Sequence, residues 1–534
     1  MRALAAAPAS GGVSLRRARG AHYTPAPLVE HLVAEALRGW HPRGGQLGCD
    51  AWRLIDPACG SGNFLVAGAG MASSHTGESI ESVLEHRVFG VDIDEHAVRM
   101  ARAALCGLIP RSTDGERRAR IGAAIESHVV VADALDPALD HSLFMQPFDL
   151  VLGNPPFLNQ LQRGTAASRR QAADIAARTG GAVRRYADIA AAFFVLGTQR
   201  LAPGGRLAFV MPLSFLSAAD SKGARDAVLE TCTLSAVWAC DVSVFDDADV
   251  RACGLVLERG GSAPHVRRAF GVDFAIRPDV SSPPRRGDPS WAPLIADCFG
   301  APEMSTPRGA PIGTIAEATA DFRDQFYGLR GAIGSEGEAR LMTTRHVDLA
   351  RSNWNDAPVR VLGERYLRPK VTLAALAHDP QMQRWAAARR VPKVLVSTQT
   401  RVMEAWVDET GDTLPLVPLL TVVPKSGHSL WEVAAAVASP VVAARALQLY
   451  TGSALDARAI KLSARQLMAM PLPIDGDEWR ASAAHFESAS RASGDAERVR
   501  ELEAFAERSC RAHALSREDE RSVLAFWRER ARLG

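Results

Sequence analysis

One stretch of this 534-residue chain has the residue types needed to hold a planar amine. In Asp149-Leu150-Val151-Leu152-Gly153-Asn154-Pro155-Pro156-Phe157 an apolar run ends in a glycine, an asparagine and two prolines. Each proline fixes φ and removes a backbone donor, which leaves the Asn154 amide and the Pro155 carbonyl as acceptors. Phe157 adds a flat apolar face. Two acceptors can take both hydrogens of an exocyclic amine while the ring stacks on the base that carries it. By themselves these residues would also make a rigid turn, and what lifts them above that is their place after three other motifs. In Leu54-Ile55-Asp56-Pro57-Ala58-Cys59-Gly60-Ser61-Gly62-Asn63-Phe64-Leu65 a strand ends at Asp56, glycines let the backbone approach a ligand, and a helix opens near Asn63. Phe89-Gly90-Val91-Asp92-Ile93-Asp94 ends a second strand on a carboxylate able to accept both hydroxyls of a ribose. Asp94 is placed to cap the helix that follows. Val131-Ala132-Asp133-Ala134 puts another acid after a strand. Leu65 stands where a dinucleotide fingerprint has its third glycine, which argues against a nicotinamide cofactor.

To bring these motifs to one edge, the chain needs parallel strands with helices between them. The strand candidates are Arg53–Ile55, Val88–Val91, Val129–Ala132, Phe148–Leu152, Arg206–Met211, Ser235–Ala239 and Gly254–Leu257. A helix is expected from about Pro27, with Leu28, Leu32, Val33, Ala36 and Leu37 on one face, and another over Glu95–Leu105. The alternation from His22 to Arg259 implies an α/β, doubly wound domain with a parallel sheet. Residues 1–20, rich in Ala, Arg and Ser, are expected to be disordered. Residues 263–310, with the Pro/Arg-rich Arg277–Pro293, read as a linker. Residues 311–474 read as a mixed α/β domain. Residues 475–534 are charged, helical in period and almost free of Gly and Pro after Gly494, and read as a helical tail.

The motifs, in this order, resemble those of the gamma-class N6-adenine DNA methyltransferases, the Taq-type and Eco57I-type enzymes. Gly20-Ala21-His22-Tyr23-Thr24-Pro25 is similar to their opening motif, and DPACGSGNFL to their methionine-binding loop. GVDID and ADAL look like their ribose and adenine contacts, and NPPF like their catalytic tetrad. Leu201–Val210 (LAPGGRLAFV) resembles a later strand. Val244–Val250 (VFDDADV) resembles the stretch whose aromatic residue, here Phe245, walls the base pocket opposite Phe157. The resemblance covers roughly residues 20–260. It implies a Rossmann-like, doubly wound methyltransferase domain that uses S-adenosylmethionine and no metal. Asn154, Pro155, Pro156 and Phe157 would be catalytic. Tyr23, Thr24, Pro25, Asp56, Pro57, Ala58, Cys59, Gly60, Gly62, Asp92, Ile93, Asp133, Ala134 and Asn154 would bind the cofactor. Two departures stand out. Phe157 replaces the Tyr of many members, which keeps stacking and loses a hydroxyl. A long insert, Leu158–Arg185, carries six Arg and one Asp, and suits either a grip on phosphates or a solvated loop. Fragments in the later half look like the family's target-recognition region.

The expected reaction is therefore methylation of N6 of a flipped-out adenine in double-stranded DNA, in restriction-modification or a related defence system. A protein glutamine amide or an RNA guanine amine would suit the same tetrad, and an inactive DNA-binding homologue is a third reading. The charge balance, 62 Lys+Arg against 60 Asp+Glu, gives a net +2 and names no partner, so DNA contacts must come from local patches. The candidates are Arg163, Arg169 and Arg170 in the insert, and Lys370, Lys393 and Arg401 in the later half, where Lys425, Lys461, Arg365 and Arg368 also fall. The eight cysteines show no CxxC spacing, so neither a zinc site nor a disulfide framework is expected, and a reducing cytoplasm is. No run of 18 apolar residues suggests a membrane span; Trp431–Tyr450 reads as a buried helix. No acidic-pair-plus-lysine nuclease pattern is found, so any restriction endonuclease is expected as a separate partner.

Overall fold

The computed structural model describes residues 24–42, 52–141, 146–157, 166–183, 188–245, 250–321, 323–452 and 459–532. They fall in two compact units, Met1–Ile295 and Ala296–Gly534. In the first, the described elements run α1 (Ala26–Leu37), β1 (Leu54–Asp56), α2 (Asn63–Thr76), α3 (Ile80–His86), β2 (Val88–Asp92), α4 (Glu95–Cys106), α5 (Gly115–His128), β3 (Val129–Val131) and β4 (Phe148–Gly153). There follow α6 (Ala166–Arg178), α7 (Ile189–Gln199), β5 (Leu201–Pro212), α8 (Lys222–Val228), β6 (Cys232–Ala239), β7 (Ala252–Arg259), β8 (Val266–Phe270) and β9 (Ala275–Ser281). Every strand expected from the sequence is present, with ends shifted by a few residues.

The strands form one nine-stranded sheet of order β3-β2-β1-β4-β5-β7-β6-β8-β9. β1 to β5 are mutually parallel. β4 is buried along its whole length, which is why FDLVLG is nearly continuous in apolar residues rather than alternating. Helix α4 begins where Asp94 accepts the His96 and Ala97 N–H groups, the expected cap. Its Val98, Ala101 and Leu105 are buried.

The sheet is not parallel throughout, as the alternation had implied. β7 runs antiparallel to both β5 and β6. Between β6 and β7 the described residues hold no helix, and without a crossover the chain can only return antiparallel. The expected linker is also corrected. Residues 266–281 add β8 and β9 to the sheet, and Pro278 is tolerated because β9 is an edge strand. Trp291 is buried, packed edge to face with Phe194 and Phe215, and its backbone N–H donates to the Leu216 carbonyl. A proline-rich composition does not show such an anchor, because the anchor is one tryptophan in a distant pocket.

The second unit is mixed α/β, with two four-stranded sheets. One pairs Ala316–Ala320, Leu420–Pro424, Lys393–Val396 and Ala405–Asp408. The C-terminal helices Gly476–Arg491, Asp495–Ala512 and Arg517–Ala531 are not a tail apart. Phe486, Phe505 and Trp527 share one buried cluster with Val394, Val422, Val433 and Val441. The expected helix Trp431–Tyr450 is two, Leu430–Ala438 and Pro440–Tyr450, broken at Ser439, whose hydroxyl caps the second. Among the described residues no single helix is long and apolar enough to cross a membrane; this bent pair passes together by length and composition, and it is buried in that core.

Candidate active site

The order of the sheet places the site. From β1 the chain steps outward to β2 and β3, then returns to β4 on the other side of β1. This reversal opens a crevice beyond the carboxyl ends of β1 and β4, the place where open α/β sheets bind ligands. Asp56 ends β1 and Gly153 ends β4, so the glycine loop and Asn154 face each other across it.

The loop after β1 is tied down by backbone bonds. The Asp56 carboxylate accepts the Ala58 N–H at 2.9 Å, the Cys59 N–H reaches the Val91 carbonyl at 2.9 Å, and the Gly62 N–H returns to the Cys59 carbonyl. Gly62 has φ +91° and lies so close to α4 that a Cβ would stand 3.0 Å from Ala101 Cα. Gly60, at φ +52°, meets nothing within 4 Å on that side. No side chain caps the start of α2, and no acid lies in its first turn. Its first N–H groups therefore suit a ligand carboxylate. Burial pushes the Asp56 carboxyl up to about 8, helped by the Asp92 charge and opposed by the Ala58 bond.

Asp92, at the end of β2, accepts the Gly60 N–H at 2.8 Å through one oxygen and the Asp94 N–H at 2.9 Å through the other. Burial raises its pKa. A carboxylate has about four lone-pair sites, so these bonds leave part of that capacity for ribose hydroxyls. Beside it Ile93 is 59% exposed and Val131, its neighbour across β2–β3, is 46% exposed. These exposed apolar side chains next to a carboxylate suit a nucleoside base and sugar. Val131 had escaped the sequence reading because nothing in a strand-end valine marks it as exposed. Asp133 accepts the Leu135 N–H, so it holds its own turn, and Ala134 is buried.

At the end of β4, a Cβ on Gly153 would lie 2.6 Å from an Asp56 oxygen. Only glycine lets the strand end pass the buried carboxyl. The next residue is Asn154. Its side-chain nitrogen donates to the Thr24 hydroxyl at 2.9 Å, and its buried side-chain oxygen has no hydrogen-bond partner among the described residues. Asn63, the first residue of α2, donates to the Thr24 carbonyl at 3.2 Å. The contact of Thr24 with the tetrad, and that of Asn63 with Thr24, are not foreshadowed by the sequence motifs. Pro25 follows Thr24 and its carbonyl accepts the first helical N–H groups of α1. Tyr23 lies outside the described residues.

The two aromatic walls differ from expectation. Phe157 and Phe245 are neighbours, with centroids 6.1 Å apart, but their planes meet at 75°, edge to face. Parallel walls for a base would require one ring to turn. Phe245 is 5% exposed; the four residues after it, and those after Phe157 up to residue 165, lie outside the described residues.

The expected DNA-contacting side chains divide. Arg163 is outside the described residues, and Arg169 and Arg170 fall on α6. In the second unit Lys370 and Arg401 are half-buried and Lys425 and Lys461 exposed. Lys393 is a correction. It is 0% exposed, its ammonium bonded to Asp408 at 2.5 Å and to the Val391 carbonyl at 3.2 Å. It cannot reach a phosphate. Its place inside Lys393–Val396, a strand buried at every position, explains why.

A sheet of this order, with a glycine loop after its first strand, carboxylates after its second and third and a proline-fixed amide after its fourth, is a Rossmann-like methyltransferase domain. Residues 14–270 match the N-6 DNA Methylase family, so most of the first unit is similar to that family. The chain is similar to the Type II methyltransferase M.BanIII of Aneurinibacillus aneurinilyticus, 26% identical over 235 residues, which are 44% of this chain and 37% of that protein. It is also similar to the Type II methyltransferase M.TthHB8I of Thermus thermophilus, 29% identical over 356 residues, or 65% of this chain and 69% of that protein. It thus spans little more than a third of the first relative's length. Among solved structures, the Type IIL restriction-modification enzyme MmeI, in complex with DNA, aligns over 98% of this chain and 76% of its own, with TM-score 0.57 and 14% identity. That likeness concerns the fold.

Proposed function

We propose that this chain methylates N6 of adenine in duplex DNA, with S-adenosylmethionine as donor, within a restriction-modification or related defence system. The observation that carries the proposal is the Asn154 side-chain oxygen, buried at the crevice with no partner. An unmet buried acceptor costs about 1–3 kcal/mol, and a donor arriving with the substrate would relieve it. The residues present fit the cofactor: the α2 start suits its carboxylate, Gly60 offers open space, Asp92 keeps lone pairs for its ribose, and Ile93 with Val131 flanks its base. When bound, S-adenosylmethionine supplies an activated methyl group, which needs no metal.

The rest falls to the chain's own groups. An adenine amine paired in a duplex is out of reach, so the base must be extruded. Phe157 and Phe245 would then receive it by stacking, once their edge-to-face contact opens. Asn154 Oδ1 and the Pro155 carbonyl accept the two amine hydrogens. That draws the nitrogen lone pair out of the ring and makes it nucleophilic. The acceptors are fixed beforehand by Pro155, Pro156 and Thr24, so their dipoles need not reorganise as charge develops. The second unit, with Lys370, Arg401, Arg365 and Arg368 at least partly exposed, supplies phosphate and base contacts. The family match and the DNA-bound neighbour support DNA over a protein amide or an RNA amine.

The test offers labelled methyl donor with duplex DNA, RNA or a glutamine-bearing protein in separate reactions. Label should appear in DNA as N6-methyladenine. Asn154→Ala should slow transfer about 10²–10³-fold while cofactor affinity stays within a few-fold. Label confined to RNA or protein would overturn the reading.

A further inference from the structure

The Asn154 amide has two chemically different ends, and only one can accept a hydrogen from an amine. Nothing in β4 itself decides which end faces the crevice. The deciding contact comes from the other end of the domain: Thr24 lies 130 residues earlier and its hydroxyl is 2.9 Å from the Asn154 nitrogen. Thr24 is 5% exposed, and it is fixed from both sides. Asn63 at the start of α2 donates to its carbonyl, and Pro25, whose φ is −58°, joins it to the first turn of α1. The Asn154 oxygen is thereby left on the side away from Thr24, buried and unpartnered.

We propose that Thr24 is a positioning residue that sets the orientation of the Asn154 amide by accepting its N–H, with Asn63 holding Thr24 in place. The inference rests on the reading of Asn154 as the amine acceptor. It gives the Thr24 side chain a duty toward the tetrad in place of the direct cofactor contact expected for this residue. A flipped amide would place its NH2 against the incoming amine, donor facing donor, and transfer would stop. The hydroxyl is what matters, so serine should serve and valine, its isostere without an acceptor, should not.

Two measurements on the full chain separate the possibilities. In the first, asparagine is labelled with 15N and the Asn154 side-chain signal is assigned by its loss in Asn154→Ala. One amide proton of Asn154 should be shifted downfield by its hydrogen bond, keep that shift in Thr24→Ser and lose it in Thr24→Val. Absence of the shifted proton from the wild type would mean that the amide is turned the other way, with Thr24 donating to its oxygen, and would overturn the proposal. In the second, single-turnover rates and cofactor affinity are measured together. Thr24→Val should lower the rate about tenfold, the effect of one lost hydrogen bond, with cofactor affinity within about twofold, and Thr24→Ser should restore the rate. Asn63→Ala should give a smaller loss of the same kind. A parallel fall of rate and cofactor affinity in Thr24→Val, unrescued by serine, would make Thr24 a cofactor contact only. A wild type that shows the amide signature yet transfers nothing to DNA would refute the proposed function and leave the orientation of Asn154 established.

Discussion

The Asn154 side-chain oxygen in the first unit and the Lys393 ammonium in the second are both buried, and their surroundings are opposite. Lys393 has its charge met inside the protein. Its ammonium meets Asp408 and a backbone carbonyl, while Asp408 also accepts the Thr413 N–H and hydroxyl, the Gly411 N–H and the Thr410 hydroxyl. Burial lowers the Lys393 pKa, and Asp408 opposes that shift. Asp408 itself is held below its ordinary value by Lys393 and Thr413 despite burial. Asn154 is half satisfied, with its nitrogen engaged and its oxygen idle. The difference teaches that withdrawal from water alone does not mark a structural group. The Lys393 charge is met inside the protein, and Asn154, at the carboxyl end of β4, keeps an acceptor unused.

The largest effect should fall on the buried pair, Lys393 and Asp408. Breaking a buried ion pair leaves an uncompensated charge and costs about 3–5 kcal/mol, so Lys393→Ala should lower the denaturation midpoint of the chain markedly. Denaturant titration checks this. A Lys393→Ala protein as stable as wild type but weakened in DNA binding would return Lys393 to the interface and blur the contrast.

Next comes Asp92, whose carboxylate is partly spent on Gly60 and Asp94 and partly open. Asp92→Ala should weaken cofactor binding by about 1.5–3 kcal/mol, the range for a hydrogen bond to a charged group. Titration calorimetry measures it. Unchanged affinity would mean that its two backbone bonds exhaust its role, which would place it with Lys393.

Phe245 sharpens the comparison from the apolar side. If it opens to stack on an extruded base, Phe245→Ala should cost about 1–3 kcal/mol in DNA turnover and reduce the fluorescence of a 2-aminopurine placed at the target. Loss of stability with that signal intact would show that its edge-to-face contact with Phe157 is core packing alone.

The smallest expected effect lies with Lys370 and Arg401. Each removed phosphate contact should weaken binding to all sequences alike and lower the salt slope by about 1. A filter-binding series across salt concentrations distinguishes this from no contact, for which the slope would not move. Lys393→Ala, at conditions where it stays folded, should leave the slope unchanged.

Much of the site was legible in the sequence because its chemistry sits in short motifs at strand ends. Asp56, the glycine loop, Asp92 and Asn154-Pro155-Pro156-Phe157 each follow an apolar run, and an apolar run that ends in a polar or glycine turn is a local pattern. The same locality exposed seven of the nine strands of the first unit's sheet and the cap at Asp94. The C-terminal helices are as the period implied, but their packing into the second unit's core, like the strands within 263–310, was not legible for the converse reason. Their anchors, Trp291 against Phe194 and Phe215 or Phe505 within a cluster that includes Val394, depend on partners far along the chain.

What the sequence by itself determined is the set of groups available at the crevice and the strands that carry them there, since both follow from residue type and period. The tertiary structure alone decided which of those groups remain unspent. It put the Thr24 hydroxyl on one end of the Asn154 amide, sealed Lys393 against Asp408, turned β7 antiparallel and set Phe157 edge-on to Phe245. A hydrogen bond or a ring contact depends on distances of a few ångströms between residues up to 130 positions apart. Those distances are set by the packing of the whole sheet rather than by any local run of residues.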